Sequence, residues 1–255
     1  MSIPGRDALM STPWGYRAYM ALRWGSHRRE MPRVNPVNTV LKNKAEVDAA
    51  VAEAARLKLP QFSDPPKTWD TLGALHEIVS RTDTSAKILD AGAEMYSRIL
   101  PWLYLYGYRD LTGNNLIFDK SKTVKRGTIN YEYGDITATR FDKAHFDAIT
   151  CLSVVEHGVD LDKYFAEMAR ILKPGGVLVT STDYFEQPTD TKGLECYGTP
   201  IRVFTRADIE KAVEGAKKVG LRLTQPMDYS SQERVVTWKQ FGLKYSFIIF
   251  SMIRQ

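Results

Sequence analysis

Ala86-Lys-Ile-Leu-Asp-Ala-Gly-Ala93 decides the reading of this chain. A short apolar strand ends in Asp90, and Gly92 opens a turn leading toward a helix. In an open α/β sheet the first strand stops at such a turn, where backbone N–H groups can meet a nucleotide-like ligand. Glu94 and Tyr96 stand where a G-x-G-x-x-G loop needs small residues, so no cradle for a pyrophosphate is expected. The turn points to a nucleoside-type ligand.

Working outward, strands and helices alternate. Strands are expected at 88–89, 111–114, 128–133, 146–153, 177–180, 221–223 and 245–253, with helices over 97–106, 161–172 and 205–219 between them. Pro174-Gly-Gly176 turns the chain before the fifth strand, and Thr205 caps a helix that Gly220 stops. This alternation predicts an α/β fold with a doubly wound, seven-stranded, mostly parallel sheet. Upstream, Val47, Ala50, Val51, Ala54 and Leu57 recur at helical spacing, and a second helix is expected over 69–79. Residues 1–80 therefore read as a helical N-terminal extension, able to act as a substrate lid, and 81–255 as the main domain.

The composition of these 255 residues, 44% hydrophobic and 25% charged, is that of a globular protein. No apolar run is long enough for a membrane span and no secretory core opens the chain, so a soluble, cytoplasmic protein is expected. Cys151 and Cys196 read as free thiols, and no His or carboxylate spacing commits to a metal. The net charge of +5 is too small to argue for nucleic acid. Arg6, Arg17, Arg23, Arg28, Arg29 and Arg33 nevertheless crowd the first segment among Trp14, Tyr16, Tyr19 and Trp24, opposed only by Asp7 and Glu30. Two readings stand: a lid receiving an anionic substrate, or a solvated arginine face packed by its aromatic side.

Taken in order, Ile88-Leu-Asp-Ala-Gly92, Leu111-Thr-Gly-Asn-Asn115, Tyr133-Gly-Asp135, Phe146-Asp-Ala-Ile-Thr150 with Glu156-His157, and Ile171-Leu-Lys-Pro-Gly-Gly176 resemble the motifs of class I S-adenosylmethionine-dependent methyltransferases. The resemblance covers about 86–223, and 245–253 fits that family's antiparallel last strand. It implies a Rossmann-like sheet, S-adenosyl-L-methionine as cofactor, and a methyltransferase domain over 81–255. By the same resemblance Asp90 and Gly92 serve the donor, Asp135 accepts from its adenine amino group, Ile136 packs on the ring, and Ser153 joins the donor-binding set. Glu94 replaces a glycine of the family pattern; it is compatible with a sulfonium or ammonium, or it obstructs the loop. Asn115 stands where an acidic residue grips the ribose hydroxyls, with Asn114 as the alternative in a register open by one position.

Glu156 and His157 end the fourth strand, where the reaction takes place in such sheets. His157 is either the base that takes a proton from the acceptor or an architectural residue. Glu186, Asp190 and Tyr197, in the segment after Asp183-Tyr184, are either solvated loop residues or acceptor contacts. Asp64-Pro-Pro66 is similar to the loop of nucleic-acid amino methyltransferases, but it precedes the first strand and is followed by Lys67, so it is set aside. The expectation is methyl transfer to a small or medium polar acceptor, as O-methylation of a sugar or specialised metabolite. A small-molecule acceptor is expected as partner rather than nucleic acid. The alternatives are an RNA methyltransferase and a non-catalytic subunit with a degenerate donor site.

Overall fold

The computed structural model describes residues 6–27 and 29–255; Arg28 and the side chain of Arg6 lie outside the described residues. Helices α1 (Arg6–Ser11) and α2 (Pro13–Trp24) come first, followed by strand β1 (Thr39–Val40) and helices α3 (Lys44–Arg56) and α4 (Lys67–Arg81). Then come β2 (Lys87–Ala91), α5 (Ile99–Leu105), β3 (Asp110–Asn115), β4 (Val124–Arg126), β5 (Ile129–Tyr133), β6 (Phe146–Leu152), α6 (Leu161–Ile171) and β7 (Leu172–Tyr184). A small hairpin, β8 (Glu195–Cys196) and β9 (Thr199–Pro200), precedes α7 (Arg206–Lys218), β10 (Leu221–Leu223), β11 (Val236–Trp238) and β12 (Leu243–Arg254). Side-chain caps set several helix starts: Thr12, Asn43 and Asp160 each accept from a backbone N–H, and Thr205 forms a reciprocal box with Asp208.

The main sheet runs β1-β12-β7-β6-β2-β3-β5-β4, with β10 and β11 also paired to β12. The ladders joining β5, β3, β2, β6 and β7 are parallel, and β12 is antiparallel to β7. The chain leaves β2 for β3 and β5 on one side and returns to β6 on the other, so a topological switch point lies between β2 and β6. Ile88, Ala148, Val177 and Ile249 face one apolar layer with α3, α4 and α5; Leu89, Ile149, Leu178 and Ile248 face another with α6 and α7. Both faces are covered, as parallel strands require.

The doubly wound, mostly parallel sheet with an antiparallel last strand is the architecture expected, but among the described residues it has ten strands rather than seven. The additional strands are β1, β4 and β11, each two or three residues long and too short to show a period in sequence. Their place is physical: β11, β1 and β10 pair in succession with 243–245, 248–249 and 252–254 of β12, covering an outer edge that would otherwise present unpaired backbone. The N-terminal extension thus contributes a strand as well as helices. Its α4 lies against β6, β7 and β12 and shares their apolar layer through Leu72, Leu75 and Ile78. At Pro174 the chain bulges: Leu172 pairs with Phe146 and Val177 with Ala148, while Lys173 Nζ reaches Asp147 at 2.7 and 2.8 Å.

Candidate active site

A cavity of about 790 Å³ lies at the carboxyl ends of the parallel strands, and it brings together Asp90, Gly92, Glu94, Asn115, Asp135, Ile136, Ser153, Glu156 and His157. The turn after β2 forms its floor. Gly92 has φ +83, and a Cβ there would meet Val154 Cγ2 at 2.5 Å, so glycine is required by both conformation and space. The amides of Gly92 and Ala93 both donate to Asn114 O, at 2.8 and 3.0 Å, and Glu94 N donates to Ser97 Oγ at 3.0 Å. This corrects the expectation of ligand-facing N–H groups. It also explains chemically why no anion cradle exists here.

Asn115, not Asn114, faces the cavity. Its Nδ2 donates to Gly92 O at 3.0 Å and Ala93 O at 3.1 Å, while its Oδ1 accepts from Ile117 N at 3.3 Å. The amide ties the turn to the end of β3, a role the sequence did not disclose. Asn114 is fully buried beside Gly134, with neither amide atom hydrogen-bonded. Asp135 accepts from Thr137 N and Oγ1 through one oxygen, as a turn residue does, and it also lines the cavity. Ile136 is buried against the α6 side.

Asp90 is 3% exposed; its Oδ1 accepts from Thr150 Oγ1 at 2.8 Å. Burial pushes its carboxyl up to about 7, and the neighbouring Asp70 adds to the rise. At the end of β6, Ser153 holds φ +54 with its Oγ buried and unpartnered, a strained conformation at a cavity wall. Glu156 is buried and accepts from Thr182 Oγ1 at 3.0 Å; burial holds its carboxyl above the usual carboxylate range. His157 Nδ1 is buried without a partner, and its ring meets Tyr197 edge-on at 5.2 Å. Burial, then Lys67, holds the imidazole below its ordinary pKa, which keeps it neutral.

Several lining residues have no counterpart in the expected set. Asp70, 1% exposed on α4, accepts from Ser181 Oγ at 2.6 Å. Asp183, at the end of β7, is 2% exposed beside the Tyr245 hydroxyl, and burial with the nearby Glu156 drives its carboxyl well up. Asp64 and Lys67 also line the cavity, although the Asp64-Pro-Pro66 segment was set aside in sequence. Asp70 lies in the first turn of α4, an ordinary place for an acidic residue, so its sequence position gave no signal of this wall. Of the candidate acceptor contacts, Tyr197 lines the cavity and Glu186 and Asp190 do not.

The arginine-rich segment lies elsewhere. Among the described residues, Arg17, Arg23, Arg29 and Arg33 do not line the cavity. Arg29 is buried and donates to the carbonyls of Trp24, Leu57 and Leu105, joining α2, α3 and α5 from within. Residues 62–71 are the part of the extension that reaches the site.

Residues 89–180 match the sequence model of a family described as a methyltransferase domain. The chain is similar to the sterol 24-C-methyltransferase of Yarrowia lipolytica, 26% identical over 150 residues that cover 50% of this chain and 38% of that protein. A ubiquinone biosynthesis O-methyltransferase of Coxiella burnetii is 41% identical over 54 residues, 21% of this chain and 23% of that one. The match thus spans well under half the length of these curated relatives. Among solved structures, the geranyl diphosphate C-methyltransferase of Streptomyces coelicolor A3(2) superposes with TM-score 0.55 at 18% identity, covering 96% of this chain and 99% of that one. That likeness is one of fold.

Proposed function

We propose that this chain, which belongs to the class I S-adenosylmethionine-dependent methyltransferases, moves a methyl group from S-adenosyl-L-methionine to an oxygen of a small or medium polar acceptor, a sugar or other specialised metabolite. The observation that carries the reading is one cavity at the switch point that gathers Asp90, Gly92 and Asp135 with Glu156 and His157. Its chemistry suits the donor. The donor has a sulfonium and an amino-acid tail but no phosphate, and this turn offers carboxylates with the amides of Gly92, Ala93 and Glu94 already engaged.

In this reading Asp90 receives the tail's ammonium by a charge-assisted hydrogen bond. Asp135 retains an oxygen for the adenine amino group, Ile136 supplies an apolar surface for the ring, and Asn115 and Ser153 border the ribose. The donor, when bound, supplies an electrophilic methyl group and a thioether leaving group. His157, which lines the cavity and whose neutral form burial favours, takes the proton of the acceptor hydroxyl. Glu156 lies immediately before it, fixed by Thr182. Alignment of acceptor and donor in one enclosed cavity contributes the rest of the acceleration.

A second reading, a non-catalytic subunit with a degenerate donor site, draws support from Asn115, whose amide is engaged within the turn. Calorimetric titration with S-adenosylmethionine separates the two. Saturable heat supports the enzyme; no heat and no thermal shift at millimolar donor overturns it.

A further inference from the structure

We propose that Tyr197 is a positioning residue of the donor site: carried at the tip of the β8–β9 hairpin, it latches onto Glu94 and covers the bound donor, with Glu94 acting as the catch. The proposal rests on the donor-site reading above, and it gives a purpose to the residue that breaks the glycine pattern of the first turn.

Glu94 and Tyr197 are 103 positions apart in sequence, yet the Tyr197 hydroxyl donates toward Glu94 Oε1 at 3.5 Å, the long end of the hydrogen-bond range. Tyr96, on the same turn, also lines the cavity. The Glu94 backbone is held within the donor turn, since its N–H donates to Ser97 Oγ and its carbonyl accepts from Ser97 N.

The hairpin is built to deliver a side chain. Tyr197 and Gly198 have φ +55 and +74, the two left-handed residues of a tight hairpin turn. Asn, Asp or Gly takes the first of these positions without strain, whereas a tyrosine there is costly unless its ring makes contacts that justify it. The contacts are present. The ring stands edge-on to His157 at 5.2 Å, and Thr199 seats against Gly158, where a Cβ would come within 3.1 Å of the Thr199 Cβ. Tyr197 and Thr199 both line the cavity, and Tyr197 is 67% exposed, so its outer side faces solvent.

The ladder beneath it is weak. It consists of the pairs Glu195↔Pro200 and Cys196↔Thr199, too few to hold a hairpin in place alone. Its base is anchored by Arg202 N on Glu156 O and by the buried Ile201, so the tip's position depends on what the tip touches. A cover of this kind governs how long a ligand stays.

Stopped-flow dissociation of S-adenosylhomocysteine from the full chain tests it. Tyr197→Phe and Glu94→Ala are each expected to speed dissociation about five-fold, with little change in association, as loss of one partly exposed charge-assisted hydrogen bond implies. The double variant is expected to be no faster than either single one, because both break the same contact. Both side chains are peripheral, and unchanged melting temperatures exclude a folding defect. Unchanged dissociation, or single effects that multiply in the double variant, overturns the latch while leaving the donor site intact. Failure of the wild-type chain to bind at all overturns the donor-site reading, and the latch with it.

Discussion

The two sides of the cavity differ in how their charged and polar groups are matched. At the ends of β2 and β3, groups bordering the cavity answer one another: the amides of Gly92 and Ala93 donate to Asn114 O, the Asn115 amide donates to the turn carbonyls, and Asp135 accepts from Thr137. On the inner wall, Asp70, Glu156 and Asp183 are buried and make no ion pair among the described residues; Lys67 is the cation facing them, its ammonium over the Phe247 ring at 4.6 Å. The donor side is therefore shaped before any ligand arrives. The inner wall instead holds groups whose protonation follows pH and occupancy.

Gly92→Ala is the strongest way to break the preformed side. It meets Val154 and forces a Cβ onto φ +83, and about 2–4 kcal/mol of stability is expected to be lost along with donor binding; chemical denaturation and calorimetry measure both. Asp90→Ala keeps the turn but removes the group assigned to the ammonium, and donor affinity is expected to fall at least about a hundred-fold. An unchanged affinity would mean that the donor lies elsewhere. Asn115→Ala severs the ties between turn and β3, and a roughly ten-fold loss of donor affinity is expected from a looser turn.

Substitutions on the inner wall are expected to act on the acceptor instead. Asp183→Asn should leave donor affinity within about two-fold and raise stability near neutral pH, because it removes a buried ionisable group. His157→Ala should slow turnover while sparing donor affinity; full activity in that variant would make the imidazole architectural.

Asp90 connects the two sides and carries the pH dependence. Its folded pKa, about 7, lies above the unfolded value of 3.8, so between these limits the folded chain holds a proton that the unfolded chain has lost. Its contribution to stability is therefore fully present below about pH 4 and is lost as pH rises toward 7, by at most about 1.4 kcal/mol per unit. Asp90→Asn should flatten that slope in denaturation curves. A donor ammonium favours the ionised carboxylate, so donor affinity is expected to rise over the same interval.

Sequence legibility followed the same division. The strands, the glycine turn, the Asp135 position and the Thr205 cap are local patterns, and local patterns survive in a one-dimensional reading. Asp70, Asp183 and Tyr245 were not legible as a group, because α4, β7 and β12 meet only after the sheet closes. Lys67 was passed over because its segment precedes the first strand of the recognised motif. Asn115 was placed correctly at the strand end, but what its amide bonds to depends on the path of a turn more than twenty residues away. The arginines were open to two readings, a lid or a solvated face packed by its aromatic side, whereas Arg29 is an internal tie among carbonyls, which charge alone does not reveal.

Calorimetric titration of the full chain with S-adenosylmethionine, repeated in buffers of different ionisation enthalpy near pH 6.5, tests the central claim most directly. One saturable site with proton release that disappears in Asp90→Asn is the predicted result. Binding without heat contributed by the buffer would remove Asp90 from the site, and no binding at millimolar donor would contradict the account.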